Sequence, residues 1–191
     1  MNLDLVLALR ATEAKRWTIV RLTREQSVAE HQYRVWLIAR AMYEAMFSTP
    51  HNSSDMWLLE SMALTHDLHE VITGDIPSTV KESNAEIAAA VRAAEEDARR
   101  RMGLPSMVAH RGTVPARVLR MADCAEALLF LFQNGGRDRP EVWANAHARY
   151  ARAYFDAMGA HGHQDWQKAH KVVLGMAGQD AVWEQVMECR L

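Results

Sequence analysis

The sequence predicts an all-α protein that forms one domain over residues 1–191. Three observations support this fold class. Apolar residues recur at helical spacing along most of the chain, for example at Val35, Ile38, Met42 and Met46. No stretch alternates strictly between apolar and polar residues, so no β-strand is expected. Neither a repeat nor a low-complexity linker divides the chain, and its length suits one hydrophobic core.

The first quarter of the chain is predicted to contain two helices joined by an irregular segment. The first helix is expected near residues 3–15. Residues 16–26 break its period and are expected to form an extended arm or loop. Ser27 and Glu30 then match a capping box, a pattern that opens helices, and the second helix extends to Met46.

Glycine, proline and N-cap residues set the later boundaries. The predicted elements are a loop at 49–55, a helix from there to about residue 70, an Ala-rich helix near 82–102 that stops at Gly103, an apolar helix from Pro115 to the NGG at 134–136, and two or three helices in 139–190.

Charge and hydropathy exclude several classes of protein. With 22 basic and 24 acidic residues, the net charge of −2 gives no reason to expect binding to a nucleic acid polymer or an anionic membrane. The longest apolar run, at 127–132, is too short to cross a bilayer, and the N-terminus lacks the features of a signal peptide. Cys124 and Cys189 form no disulfide framework. We expect a reduced, cytoplasmic protein, or one of the host cytoplasm if a phage encodes it.

Ionisable residues are concentrated in THDLHEVITGD, at 65–75. On a helix, His66 and Asp67 would share a face with Glu70, because they lie four and three positions before it. Imidazole and carboxylate together suit a divalent ion such as Zn²⁺, Mn²⁺, Fe²⁺ or Co²⁺. One helical turn supplies only two ligands, so the others must come from elsewhere. His31 and Asp123 are the candidates.

Each candidate also has an ordinary explanation. His31 lies on the apolar face of its predicted helix, where a lone histidine is more often a packing residue than a ligand. Asp123 lies in a helix so apolar that its carboxylate needs a metal or a cation beside it. Arg117 or Arg120 could be that cation. The combination of all four residues is more specific than any one of them.

Four stretches together resemble the HD-domain metal-dependent phosphohydrolases. They are KRWTIVR at 15–21, SVAEH at 27–31, THDLHEVITGDIPSTVK at 65–81 and VLRMADCAEALLFL at 118–131. More closely, the chain resembles the YfbR-type 5′-deoxynucleotidases and the small phage dATP triphosphohydrolases. The resemblance covers the N-terminal two thirds of the chain. It implies an all-α HD domain, a deoxynucleotide substrate and assembly into a homo-oligomer.

The resemblance also implies roles for individual residues. The implied metal ligands are His31, His66, Asp67 and Asp123. Glu70 and Asp75 match acids that hold and activate the attacking water. Arg16 and Lys81 match phosphate contacts, Arg120 occupies a basic position before the last ligand, and Trp17 and Ile19 match positions beside the nucleoside.

The chain departs from the bacterial nucleotidase pattern at two places near the implied nucleoside pocket. Thr18 and Ile19 stand where those enzymes have proline and leucine, and Ser78–Lys81 lacks a second proline. Base preference is therefore not carried over from the resemblance. His69 and the HGH at 161–163 are expected to be surface residues.

The charge near the site favours a triphosphate substrate, with dATP as the first trial, over a monophosphate. Arginines are numerous in and beside the stretches at 15–21 and 110–121, and the second of these contains no acid. The reaction would release a deoxynucleoside and phosphates with the help of a divalent ion, either Zn, Co, Mn or Fe. The first alternative is a 5′-deoxynucleotidase that acts on deoxynucleoside monophosphates. The second is a non-catalytic metal- and nucleotide-binding sensor.

Overall fold

The structure is a computed structural model that describes residues 3–47, 53–81, 83–135, 140–159 and 163–178. The helices are α1 (Leu5–Leu9), α2 (Val28–Met46), α3 (Ser53–Ala63), α4 (Glu70–Thr73), α5 (Ser78–Lys81), α6 (Ala85–Arg101), α7 (Val114–Asn134), α8 (Pro140–Met158) and α9 (His163–Gly175). Short 3₁₀ turns cover Arg10–Thr12 and Val108–His110. Two strands, β1 (Lys15–Arg16) and β2 (Gln26–Ser27), complete the described elements. The all-α prediction is confirmed.

Two predictions for the N-terminal part of the chain differ from the structure. Strands β1 and β2 pair antiparallel, with Lys15 opposite Ser27, so the expectation of no strand was wrong here. Two residues are too few for an alternating pattern to appear in the sequence. The first helix ends at Leu9 and continues only as a 3₁₀ turn, so it is shorter than predicted.

The core forms where α2 and α7 pack against each other and against α3, α8 and α9. Its fully buried side chains include Val35, Met42, Leu128, Tyr150 and Trp166. A smaller apolar cluster, with Leu68 and Met102 among its members, lies where the turn after α3 meets the end of α6. No helix in the described part of the chain is long and apolar enough to cross a membrane.

Local signals account for the ends of the long helices. The Ser27 hydroxyl accepts the Glu30 N–H at 3.1 Å and so caps α2, as predicted. The Glu30 carboxylate binds Arg24. Thr113 caps α7 in the same way, with Pro115 in the first turn. Helix α6 ends at Arg101, close to the predicted stop at Gly103.

The predicted helix from 55 to about 70 is wrong in its second half. Helix α3 ends at Ala63, and residues 64–69 form successive turns before the short α4. Backbone bonds there span three residues, as from Leu68 N–H to Thr65 C=O and from Glu70 N–H to Asp67 C=O. His66 and Asp67 therefore lie on a tight turn that we call the HD turn (residues 64–69).

Candidate active site

The structure brings the four predicted ligands together at one point. His31 comes from α2, His66 and Asp67 from the HD turn, and Asp123 from α7. One ligand atom from each lies within 4.8 Å of all the others. The Nε2 atoms of the two histidines are 3.3 Å apart. His31 Nε2 is 3.4 Å from Asp67 Oδ2 and 3.2 Å from Asp123 Oδ1.

These spacings fit a bound divalent ion. Metal bonds of about 2.0–2.1 Å separate two ligands on one ion by about 2.9–3.4 Å, depending on the angle. The carboxylates also attract positive charge to this point. Burial acts to lower the pKa of the His31 ring, yet its carboxylate neighbours, Asp123 first, raise that pKa to about 10. The centre is therefore arranged to hold a cation, and its donor set suits one of the predicted metals.

Hydrogen bonds on the far side of each ring turn both Nε2 atoms toward the centre. His31 Nδ1 lies 2.7 Å from Glu126 Oε2, and His66 Nδ1 lies 2.8 Å from the carbonyl oxygen of Ala63. Both partners are acceptors, so each Nδ1 carries a proton and each Nε2 faces the centre, where a bound ion would take its lone pair in place of a second proton. This arrangement is typical of metal-binding histidines.

Glu126 supports a predicted ligand of the centre, and its place there was not predicted from the sequence. Its side chain is fully buried, and besides His31 it binds Arg34 Nε at 2.7 Å and Gln26 Nε2 at 2.8 Å. A signal was available, because Glu126 follows Asp123 by three residues in the same apolar helix. The argument that an acid in this helix needs a partner applies equally to both residues.

Arg99 of α6 shapes the HD turn. Its side chain is buried, and its guanidinium donates to the backbone carbonyls of Thr65 at 3.1 Å and His66 at 2.8 Å. Two further bonds reach the carbonyl of Pro105, at 3.1 and 2.8 Å. The carbonyls of Thr65 and His66 thus find a partner on α6, outside the HD turn. This is the physical reason why α3 stops before the HD pair.

Glu70 lies beside the centre in a dry environment. Its side chain is almost fully buried, and Oε2 has no hydrogen-bond partner among the described residues. Burial raises the pKa of Glu70 to about 9, and the charge of Asp67 adds to this shift. A buried carboxylate with one open oxygen suits the predicted role of holding a water.

Asp75 has a structural contact that the sequence did not predict. Its Oδ2 accepts the backbone N–H of Trp17 at 2.9 Å and so ties the arm to the segment after α4. One carboxylate oxygen is thus committed to the arm. A catalytic role for Asp75 stays a prediction.

Arg16 places a buried cation at the centre. Its side chain is 11% exposed and approaches Glu126 at 4.0 Å. Burial acts to lower the pKa of Arg16, but the surrounding carboxylates, Asp67 first, raise it. Its Nε and one terminal nitrogen have no hydrogen-bond partner within the described residues. Donors of this kind suit an anion bound at the centre.

Trp17 forms part of a pocket next to the centre. Its backbone has a φ of 62°, its ring stacks on Phe130 at a centroid distance of 6.3 Å, and its indole N–H donates to Gln26 Oε1 at 2.9 Å. The residues predicted to lie beside a nucleoside, Trp17 and Ile19, line this pocket, as do Thr18, Ser78 and Thr79 of the departing stretches, and we therefore call it the nucleoside pocket. Its lining includes Arg16, Trp17, Thr18, Ile19, Asp75, Ser78, Thr79, Asn145 and Arg149.

A second cavity, which we call the basic cleft, has a volume of about 620 Å³. Its basic lining residues are Lys81, Arg92, Arg120, Arg149 and Arg152, and no acid lines it among the described residues. Three of these cations have carboxylate partners nearby: Lys81 binds Glu95 at 2.6 Å, Arg120 binds Asp156 at 3.1 Å, and Arg149 lies 3.8 Å from Asp123.

Arg149 lines both cavities, and its guanidinium lies 3.8 Å from Asp123 Oδ2. It replaces Arg117 and Arg120 as the cation beside that acid, so the sequence-based alternative was wrong on this point. Arg149 belongs to the part of the chain without a recognised motif, and no signal in the sequence identified it.

His69 is not a surface residue, contrary to prediction. Its side chain is buried, and its Nε2 lies 3.9 Å from Glu95 Oε1. It is the last residue of the HD turn, directly before α4, and it faces α6, which explains its burial. Of the predicted surface triplet at 161–163, the first two residues and the side chain of the third lie outside the described residues.

Comparisons with known proteins show the family of the chain. The family model described as "5′-deoxynucleotidase YfbR-like" matches residues 6–110, which is more than half of the chain. The chain belongs to the YfbR-like family of HD-domain phosphohydrolases. The matched region contains three of the four predicted ligands, and the fold adds Asp123 from beyond it. As a member of this family the protein is an enzyme, so the non-catalytic alternative is set aside.

Individual family members are similar over different lengths. A dATP triphosphohydrolase of cyanophage S-2L is 36% identical over 131 residues, which cover 66% of this chain and 69% of that protein. The 5′-deoxynucleotidase YfbR of Shigella flexneri is 32% identical over 87 residues, which span 46% of this chain and only 44% of the relative.

A solved structure is similar over nearly the whole chain. The HD phosphohydrolase DatZ of cyanophage S-2L, bound to dA and one catalytic Zn²⁺, has a TM-score of 0.72 at 25% identity. The match covers 89% of this chain and 94% of DatZ. The HD fold of the family therefore extends beyond the segment that the family model matches.

Proposed function

We propose that the protein is a metal-dependent triphosphohydrolase of 2′-deoxynucleoside triphosphates, with dATP as the first substrate to test. The observation that carries the proposal is the basic cleft beside the centre. A phosphate monoester carries about two negative charges near neutral pH, and a triphosphate carries about twice that. Five basic side chains around one cleft suit the larger charge.

The two cavities would bind different parts of the substrate. Arg149 lines both, so a nucleotide with its sugar in the nucleoside pocket and its phosphates in the basic cleft would pass the centre at Asp123. Arg16 is buried, and two of its nitrogens have no hydrogen-bond partner among the described residues, so it would contact the phosphate next to the sugar. Such fixed donors stabilise the charge that develops during phosphoryl transfer.

Four residues would hold the divalent ion, namely His31, His66, Asp67 and Asp123. When bound, the ion supplies Lewis-acid activation of water and of a phosphoryl oxygen. Glu70, whose Oε2 has no hydrogen-bond partner among the described residues, would orient the attacking water; the charge of the bound ion would favour its ionised form, which can take the proton. The similarity to a protein described with dA and one catalytic Zn²⁺ supports zinc as the first metal to test and the deoxynucleoside as a product.

The arm supports a preference for deoxyribose. The indole N–H of Trp17 is already bound to Gln26, so the ring offers no donor to a 2′-hydroxyl. A ribonucleotide in contact with this ring would bury an unpaired hydroxyl, at a cost of about 1–3 kcal/mol. This corresponds to a preference of roughly tenfold to a hundredfold for the deoxy substrate.

A second candidate is a 5′-deoxynucleotidase that acts on monophosphates. Arg16 alone, beside a divalent ion, provides charge enough for one phosphate group. The similarity to proteins named 5′-deoxynucleotidase also favours this activity. Assembly into a homo-oligomer stays a prediction for either candidate.

The deciding experiment compares dATP with dAMP on the zinc-loaded protein and identifies the phosphate product. We expect hydrolysis of dATP to deoxyadenosine with release of a three-phosphate product. In the variant Arg92→Gln/Arg152→Gln, kcat/KM for dATP should fall by about tenfold to a hundredfold, as expected for two lost charge-assisted contacts, while kcat/KM for dAMP changes little.

The matched control is Arg101→Gln, which removes an exposed charge from the same helix as Arg92 and outside the cleft. This variant should leave kcat/KM unchanged for both dATP and dAMP. Faster turnover of dAMP than of dATP, with only orthophosphate released, would establish the monophosphatase. A panel of the other deoxynucleotides then determines the base.

A further inference from the structure

We propose that Gln26 and Glu126 are positioning residues that couple the metal centre to the ring of Trp17 in the nucleoside pocket. Three hydrogen bonds connect the two places without a gap. The Trp17 indole N–H donates to Gln26 Oε1 at 2.9 Å, Gln26 Nε2 donates to Glu126 Oε1 at 2.8 Å, and Glu126 Oε2 accepts from His31 Nδ1 at 2.7 Å. We call this series the relay.

The chemistry of the relay allows only one arrangement of donors and acceptors. An indole N–H can only donate, and an ionised carboxylate can only accept. The Gln26 amide between them must therefore point its oxygen at Trp17 and its NH₂ group at Glu126. The carboxylate in turn fixes the proton of His31 on Nδ1. The Nε2 atom, on the opposite side of the ring, then faces the centre as the ligand atom for a bound ion.

Burial makes each link dependent on the next. Gln26, Glu126 and His31 are all fully buried. A polar atom that lost its partner there would have no water to replace it. The backbone near the Trp17 end of the relay is also held, because Arg16, which precedes Trp17, lies opposite Gln26 in the β1–β2 pair.

Neighbouring cations keep Glu126 in place. Arg34 Nε binds the same oxygen as Gln26, at 2.7 Å, and Arg16 approaches the other oxygen at 4.0 Å. The guanidinium of Arg34 also lies 5.7 Å from the ring centre of Phe130, on which Trp17 stacks. Two routes therefore connect Glu126 to the wall of the nucleoside pocket.

The relay predicts an effect at a distance. Without the indole N–H, Gln26 Oε1 is left unpaired, the amide can rotate, and Glu126 loses one of the contacts that hold it against His31. Metal affinity should then fall, although Trp17 touches no metal ligand through this N–H. By linkage, the metal in turn should hold the ring of Trp17 in position.

The test measures zinc affinity by competition with a chelator, with no nucleotide present. Trp17→Phe keeps an aromatic ring and removes the N–H, and we expect zinc affinity to fall about threefold to tenfold. Gln26→Leu removes the central link, and we expect a fall of about tenfold to a hundredfold, as for other outer-sphere partners of ligands. The double variant should bind zinc no more weakly than Gln26→Leu alone.

The matched control is Trp36→Phe, which makes the same chemical change on α2, the helix of His31. The Trp36 indole N–H has no hydrogen-bond partner among the described residues, so zinc affinity should stay within twofold of the wild type. Thermal melting checks that every variant is folded. If Gln26→Leu does not fold, the zinc affinity of Trp17→Phe alone tests the relay.

The relay is refuted if Trp17→Phe has the same zinc affinity as Trp36→Phe. It is also refuted if the zinc affinity of the double variant falls by the product of the two factors measured for the single variants. The inference rests on the metal site of the proposed function but needs no substrate. If the zinc affinities are as expected but dATP is not hydrolysed, only the triphosphohydrolase proposal is refuted. A wild type that binds no zinc would refute both.

Discussion

Replacing Arg99 by methionine should damage the protein at the HD turn. Methionine fills similar space but donates nothing to the three carbonyls that Arg99 now serves. Thr65 C=O keeps a weak bond from Leu68 N–H at 3.4 Å, so the His66 and Pro105 carbonyls are the main losses. At about 1–3 kcal/mol for each unsatisfied buried group, the free energy of unfolding should fall by about 2–5 kcal/mol.

For a chain of this length the loss corresponds to a fall in Tm of roughly 5–20 °C, which calorimetry measures directly. Zinc affinity should fall as well, because the turn that carries His66 and Asp67 loses its restraint. Arg100→Met is the matched control, since Arg100 is its neighbour on α6, is exposed and pairs with Asp97. It should change stability by less than about 0.5 kcal/mol. A Tm for Arg99→Met within 2 °C of that control, with unchanged zinc affinity, would contradict the reasoning.

Four further outcomes are expected. Asp67→Ala should abolish bound zinc and turnover together, and full activity in chelator would contradict this. Glu70→Gln should bind zinc and nucleotide but lose about 10²–10⁴ in kcat; loss of the metal instead would make Glu70 a ligand. Because the folded-state pKa of Glu70 is raised to about 9, the metal-free wild type should lose stability as pH rises from about 4.5 to 9. Glu70→Gln should therefore have the higher Tm at pH 8 and no advantage at pH 4.5. Trp17→Ala should improve ATP turnover relative to dATP; equal rates for both in the wild type would argue against sugar discrimination by the ring.

The sequence predicted those features of the fold that depend on local signals. The cap at Ser27 and the buried face of α2 follow from residues close together in the chain, and both are present. The four candidate ligands were identified because imidazole and carboxylate are rare on apolar helices and together resemble a known pattern. Their convergence could not be derived from spacing alone, since it depends on how α2, α7 and the HD turn pack.

The features that the sequence did not predict depend on distant contacts. Helix α3 was extended too far because its end depends on Arg99, more than thirty residues later in the chain. His69 was expected at the surface because its polar side chain gives no sign of the helix that covers it. Arg149 lies on an amphipathic helix, where its position beside Asp123 is set by the packing of α8 against α7.

Arg149 is shared by the two cavities, and this has a consequence for changing the substrate by design. In the proposed binding mode, a substitution of Arg149 would alter the fit of the sugar and of the phosphates at once, so a screen could not assign its effect to one of them. Thr18, Ile19, Ser78 and Thr79 line the nucleoside pocket alone, and Arg92 and Arg152 line the basic cleft alone. Libraries confined to the first group should exchange the base while the number of phosphates stays the same. Libraries confined to the second group should change the number of phosphates that is accepted while the base stays the same.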